Sequence, residues 1–235
     1  MGRKVVERLS LRGDETVLDA GCGTGRVTEV LLERLPRGRV IAVDADPAMV
    51  AKARDALAGH GTRVEVRQAD LLRLDLTEAV DAVLSTATFH WVLDHDRLFA
   101  QLFSALRPAG ALVAQCGGAG NLDGVLGAAA DVSVEGPWAD RFAGWSRPSR
   151  METAEATAAR LRAAGFVDVR CWLDAEPVQP DDPRAYLATI NLGPHLQRLA
   201  ADDQRDDFLD RVLERLGDPV TIDYVRLNLD ARRPA

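Results

Sequence analysis

The sequence holds little sulfur with which to cross-link itself. Three cysteines, Cys22, Cys116 and Cys171, stand far apart among 235 residues. That number and spacing exclude a disulfide framework and a zinc-ligand pattern, and suit reduced thiols packed in a core. Clusters of Lys and Arg are also missing, and the formal net charge is −7. A nucleic-acid partner, whose phosphates reward a basic surface, is therefore not expected. Nor is there an apolar run of about 18 residues or a charged-then-apolar N-terminus, so neither a membrane span nor a secretory signal is predicted. The expectation is a soluble, cytoplasmic protein with a small-molecule substrate. No internal repeat or low-complexity tract is visible. What the chain does have is 47% hydrophobic and 28% charged residues, which suits a full core in one α/β domain spanning 1–235.

Apolar runs alternate with helical periodicity in the manner of βαβ units. Thr16–Ala20 is the first strand. Val27, Val30, Leu31 and Leu35 then form one face of a helix that stops at Pro36-Arg37-Gly38. Arg39–Asp44 is a second strand, and Asp46-Pro47 caps a helix with Met49, Val50, Ala53 and Leu57 inward, ended by Gly59–Gly61. Strands follow at Thr62–Arg67 and Ala79–Thr86, and a helix from about Asp96 to Arg107 carries Leu98, Leu102 and Leu106 on one stripe. Pro108-Ala109-Gly110 breaks it before a fifth strand at Ala111–Cys116. Residues 117–150 have no clean period and read as an insertion. A helix from about Thr153 to Ala164 and an alternating strand, Phe166–Asp174, resume the pattern. A second insertion, about 176–218, carries two or three helices, and Val225, Leu227, Leu229 and Ala231 mark a half-exposed final strand.

Within that order, "LDAGCGTG" at Leu18–Gly25 is a glycine turn between a strand and a helix. Such turns let backbone approach a nucleoside or phosphate at the carboxyl ends of parallel strands. Arg26 stands where a dinucleotide fingerprint requires its third glycine, and no Lys-Ser/Thr pair follows as in a P-loop. Asp19 in the turn, Asp44 at the end of the second strand and Asp70 after the third would repel a pyrophosphate. They suit ribose hydroxyls, an adenine amine and a cationic centre. A dehydrogenase is the runner-up reading of this turn.

Five blocks in order, "VLDAGCGTG", "IAVDADPAMVAKAR", "ADLLRL", "STATFHWVLDH" and "LRPAGALV", together resemble the class I S-adenosylmethionine-dependent methyltransferases. The block "ATFHWVLDH" and the helix and strand after it are most similar to the trans-aconitate methyltransferase group. The resemblance covers roughly Arg12 to Gly117. It implies a Rossmann-like, doubly wound α/β sheet of seven strands, mostly parallel with an antiparallel last strand, carrying helical insertions as a substrate cap. It also implies S-adenosyl-L-methionine as cofactor, S-adenosyl-L-homocysteine as product, and no metal.

By position, the resemblance puts Gly21, Cys22 and Gly23 against the methionine part of the cofactor, with Asp19 supporting its amino group. Asp44 would take the ribose hydroxyls, Ala45 and Met49 would face the adenine, and Asp70 with the Leu71 amide would bind the adenine edge. The backbone at Ser85 or Thr86 would hold the ammonium, and His90 and Trp91 would stand near the methyl group. Each has a plainer alternative: Asp70 as an exposed cap, Cys22 as a small filler, Trp91 as core, and His90 to His95 as a solvated loop and no metal cluster. The family also has a longer leader that closes over the cofactor as a helix, whereas Met1–Gly13 precede the first strand here. The lid is then either missing or supplied from elsewhere. The group's Gln before the Trp is His90 in this chain.

Methyl transfer is an in-line displacement that asks the protein mainly to align donor and acceptor and to exclude water. A carboxylate acceptor is already ionised near neutral pH and calls for cations; Arg141, Arg147, Arg150, Arg184 and Arg198 are the candidates. A hydroxyl, amine or carbon acceptor would call for a base, for which His90 is the candidate. A cofactor-binding regulatory module without turnover is the alternative of another class.

Overall fold

The computed structural model describes residues 2–199 and 202–235. Met1, and Ala200–Ala201 inside the second insertion, lie outside them. Seven strands form one sheet: β1 (Thr16–Ala20), β2 (Arg39–Asp44), β3 (Val64–Gln68), β4 (Val80–Thr86), β5 (Leu106–Gly117), β6 (Val167–Ala175) and β7 (Val225–Arg232). Their order is β3-β2-β1-β4-β5-β7-β6. The first five pair in parallel, and β7 runs antiparallel to both β5 and β6. This is the mostly parallel, doubly wound sheet that the resemblance implied, built on the βαβ units that the alternation predicted.

Strand β1 lies between β2 and β4 inside the sheet, with all five residues buried. Its alternating side chains feed opposite layers. Leu18 and Ala20 join Ile41, Val83, Phe99 and Leu102 on one face, while Val17 joins Leu31, Leu32, Val40 and Leu57 on the other. Helix α2 (Arg26–Arg34) starts at Gly25, whose φ of 86° is a left-handed turn that glycine adopts without strain. Helix α3 (Pro47–Leu57) starts where the Asp46 carboxylate accepts from the amides of Ala48 (2.7 Å) and Met49 (3.4 Å), with Pro47 in the first turn.

Three boundaries differ from the sequence pattern. Helix α4 runs His95–Ala105, and β5 begins at Leu106, so Pro108-Ala109-Gly110 lies inside the strand's span. Ala109 has φ 62°, and the β4–β5 register slips between Val80 and Ala82. The Pro-Ala-Gly stretch makes an irregular strand entry there and no separate break. Residues 58–63 are a 3₁₀ stretch with Gly61 at φ 58°, which delays β3 to Val64. The leader also folds: α1 (Gly2–Glu7) buries Val5 and Val6 in the same layer as Leu31 and Leu35.

The remaining helices are α5 (Asp123–Ser133), α6 (Ala139–Phe142), α7 (Ala154–Ala163), α8 (Pro183–Tyr186), α9 (Gly193–Leu196) and α10 (Asp202–Leu216). Helix α7 packs on the sheet, and Leu161 belongs to its core. The others build a separate apolar cluster from both insertions, in which Trp138, Phe142, Phe208, Leu187 and Val212 are buried together with Ile222 and Tyr224. Among the described residues no helix is long and apolar enough to cross a membrane.

Candidate active site

The strand order reverses between β1 and β4, where adjacent crossovers leave toward opposite faces and a crevice opens at the carboxyl ends. A cavity of about 940 Å³ occupies that place. Gly21, Cys22 and Gly23 line it from the turn after β1, Asp44 and Ala45 from the end of β2, Met49 from α3, Asp70 and Leu71 from beyond β3, and Thr86 and Trp91 from beyond β4. The sequence therefore named residues from four separate segments that the fold brings to one wall. Thr24, Arg26, Val27, Thr88, Val92 and Leu93 line it too, and the sequence assigned none of them a place in the site.

The turn is held by backbone and by one hydroxyl. Gly21 and Cys22 donate to the Val43 carbonyl at 2.8 and 2.9 Å, tying the loop to β2. The single hydroxyl proton of Thr88 is shared between the Gly21 carbonyl (3.2 Å) and the Thr86 carbonyl (3.0 Å). Gly21 has φ 83°, and a Cβ there would collide with the Thr88 side chain, whereas a Cβ on Gly23 (φ 55°) meets nothing within 4 Å. Glycine at 21 serves packing, and glycine at 23 leaves the cavity open. The thiol of Cys22 is pushed up to about 12, first by burial and then by the charges of Asp19 and Asp44. It stays protonated and acts as a small wall atom.

Asp44 is fixed by two amides: Gly23 donates to one carboxylate oxygen (2.8 Å) and Asp46 to the other (2.9 Å). Each oxygen keeps acceptor capacity facing the cavity, enough for a vicinal diol. Asp70 combines both of its readings, since it lines the cavity and caps the 3₁₀ turn Leu71–Arg73 by accepting from Leu72 at 2.9 Å.

Three residues stand elsewhere than expected. Asp19 is fully buried behind the turn: Thr28 donates to one oxygen at 2.6 Å, and the other has no partner. Burial, with a smaller push from Asp44, raises its carboxyl to about 6. Ser85 is buried and donates to the Ala20 carbonyl at 2.6 Å, clamping β4 to β1. His90 is not among the residues lining the cavity. Its Nδ1 accepts from the Gly117 amide at 3.2 Å, and burial followed by the charges of Arg147 and Arg226 lowers its pKa to about 4. With Nδ1 turned to the Gly117 amide and the ring outside the cavity lining, His90 is not placed to act as a base on a group in the cavity. His95 is occupied separately, with Nε2 at 3.0 Å from the Phe89 carbonyl, so the two histidines do not converge. Trp91, in contrast, is 42% exposed. It is a wall of the mouth and no part of the core.

Comparison with known proteins agrees with this geometry. The methyltransferase domain family matches residues 17–110, the segment from β1 into β5. Trans-aconitate 2-methyltransferase from Azoarcus sp. (strain BH72) is 33% identical over 86% of this chain and 78% of its own. The chain belongs to the S-adenosylmethionine-dependent methyltransferases. A second relative, trans-aconitate 2-methyltransferase from Acidovorax ebreus, is 30% identical over 93% of this chain and 83% of its own. Phosphoethanolamine N-methyltransferase 2 from Haemonchus contortus, solved with phosphomonomethylethanolamine and S-adenosylhomocysteine, shares the fold at TM-score 0.67. That alignment has 16% identity and spans 100% of this chain and 52% of that one. The methyltransferase uses S-adenosyl-L-methionine, and the cavity suits it: Gly23 leaves room beside the turn, Asp44 offers two fixed acceptors, and Asp19 holds an unpartnered carboxylate oxygen.

Proposed function

We propose that this methyltransferase transfers the methyl group to a carboxylate oxygen of a small di- or tricarboxylic acid. The observation that carries the reading is a cavity with the Asp44 diol acceptor at one end and, in its wall, Trp91, whose ring centroid lies 4.6 Å from the Arg147 guanidinium carbon, while no histidine lines it. The names of the 33% and 30% identical relatives point to the same acceptor class.

The bound cofactor would supply an electrophilic methyl on a sulfonium, whose departure leaves a neutral thioether as the acceptor oxygen gains the methyl. The chain's own residues would do the holding. Asp44 would accept from both ribose hydroxyls. Ala45, Met49 and Leu71 would flank the adenine with Asp70 at its amine, and the Gly21–Gly23 backbone would lie along the methionine. Asp19 would favour the ammonium through the turn, with the Thr86 backbone beside it. An acceptor carboxylate is ionised well above its pKa near 4, so no proton has to be removed. Alignment and exclusion of water then carry the rate. The segments 117–150 and 176–218 would cap the acceptor side.

The test has two arms. S-adenosylhomocysteine should raise the melting temperature, since it is selective for the native state, and Asp44→Ala should remove most of the shift. Incubation with S-adenosylmethionine and a panel of di- and tricarboxylic acids should then give a product heavier by one methyl group. A thermal shift with no turnover across acids, phenols and amines would favour a regulatory module.

A further inference from the structure

The insertions and β7 supply many arginines, and the structure separates them by what they already hold. Arg150 is engaged by Glu152, Arg184 lies between Asp206 and Asp210 at 3.0 Å each, and Arg198 is spent on the Arg141 carbonyl at 2.9 Å. Arg147 is different. Its guanidinium carbon stands 4.6 Å from the centroid of the Trp91 ring, and Trp91, though not Arg147 itself, lines the cavity. One terminal nitrogen donates to the Ser149 hydroxyl at 2.7 Å, while Nε is buried with no acceptor. No carboxylate pairs with it among the described residues, and burial lowers its pKa without an opposing charge.

The surroundings sharpen the imbalance. Arg226 on β7 has a side chain only 14% exposed, its Nε lacks a hydrogen-bond acceptor, and its nearest carboxylate is Glu176 at 3.6 Å. Both arginines lie close enough to His90 to oppose its protonation, and Arg147 also opposes that of the buried His195. Arg147 is therefore a partly desolvated cation among other cationic or neutral groups, a costly arrangement without a counter-ion. A guanidinium held against an indole ring with its Nε unpaired is suited to receiving a carboxylate.

We propose that Arg147 selects an anionic methyl acceptor, receiving one carboxylate of a di- or tricarboxylic acid at the cavity mouth beside Trp91. This rests on the carboxylate-acceptor reading above and adds the residue that discriminates. The acid held by Arg147 keeps a second carboxylate free to face the methyl donor, so monocarboxylic acids are poor acceptors.

Binding of trans-aconitate to the wild-type complex with S-adenosylhomocysteine, measured by calorimetry, tests it without turnover, with the trimethyl ester as neutral control. Arg147→Met should weaken the acid about thirtyfold, in the range expected for a truncated charge pair. Arg147→Lys should recover part of that loss, and neither variant should change S-adenosylhomocysteine affinity more than twofold. In turnover, Arg147→Met should raise KM for the acid far more than it lowers kcat, and Arg184→Met should do neither. The proposal is overturned if the wild type binds no di- or tricarboxylate, if the ester binds as tightly as the acid, or if Arg147→Met binds the acid normally. An acid bound through Arg147 yet never methylated keeps this site and removes the carboxylate-acceptor reading. Methylation with unchanged KM in Arg147→Met does the reverse.

Discussion

Asp19 is a carboxyl at the end of a buried strand with one oxygen taken by Thr28 and the other without a partner. Burial raises its pKa to about 6. A ligand ammonium placed beyond the turn would favour the charged form and lower that value. Binding near pH 6 should then release a fraction of a proton, and affinity for S-adenosylhomocysteine should climb between about pH 5 and 7 before levelling. Calorimetry in two buffers of unlike ionisation enthalpy measures the release directly. Asp19→Asn should abolish it, and an equal release from that variant would show that Asp19 does not sense the ligand. The sequence made Asp19 visible as an acid beside glycines. It could not reveal that the side chain points behind the turn, because that depends on Thr28, nine residues on and on another element.

At the scale of the element, the glycine turn divides its labour. Gly21 needs its missing Cβ because Thr88 fills the space, and it also sits at φ 83°. Gly21→Ala should cost several kcal/mol, the sum of left-handed strain and a steric clash. Gly23→Ala pays only the strain of φ 55°, roughly 1–2 kcal/mol, but puts a methyl in the cavity. Thermal melts with and without S-adenosylhomocysteine separate the two. The first variant should melt far below wild type, and the second should keep most of its melting temperature and lose the ligand shift. The three glycines after a strand foretold the turn, and its ligand class came with Asp44, Asp70 and the family resemblance. It did not distinguish their tasks, since Thr88 arrives from the segment after β4. The same limit applies to His90 and Trp91, adjacent in sequence: a 3₁₀ turn over Phe89–Trp91 sends one ring inward to the Gly117 amide and the other to the cavity wall.

For the whole molecule, legibility follows contact range. The βαβ half was readable because each strand and helix carries its own period, and their order fixes the sheet. The second core was not, because Trp138 from one insertion and Leu187 and Phe208 from the other meet beside Tyr224 with no shared period. That core buries His195 among aromatic rings, with its pKa pushed down to about 4, as for His90. Both rings take up protons in the unfolded chain near pH 6.5 but not in the fold until about 4. The unfolded state therefore binds more protons in that window, and stability falls as pH drops from about 6.5 to 4. Asp19 has the opposite sign: its raised pKa means the fold holds the extra proton between about 4 and 6, so its contribution falls as pH rises. The two effects oppose each other between pH 5 and 6, and because burial lowers His95 as well, the three histidines together prevail. Urea unfolding at pH 5.0, 5.5 and 6.0 should show a shallow rise of stability with pH in the wild type. In Asp19→Asn the histidines act without that opposition, and the slope should steepen by about 1 kcal/mol per pH unit. An unchanged slope in that variant would mean that Asp19 titrates in the fold as it does in the open chain, and that the turn above it admits water.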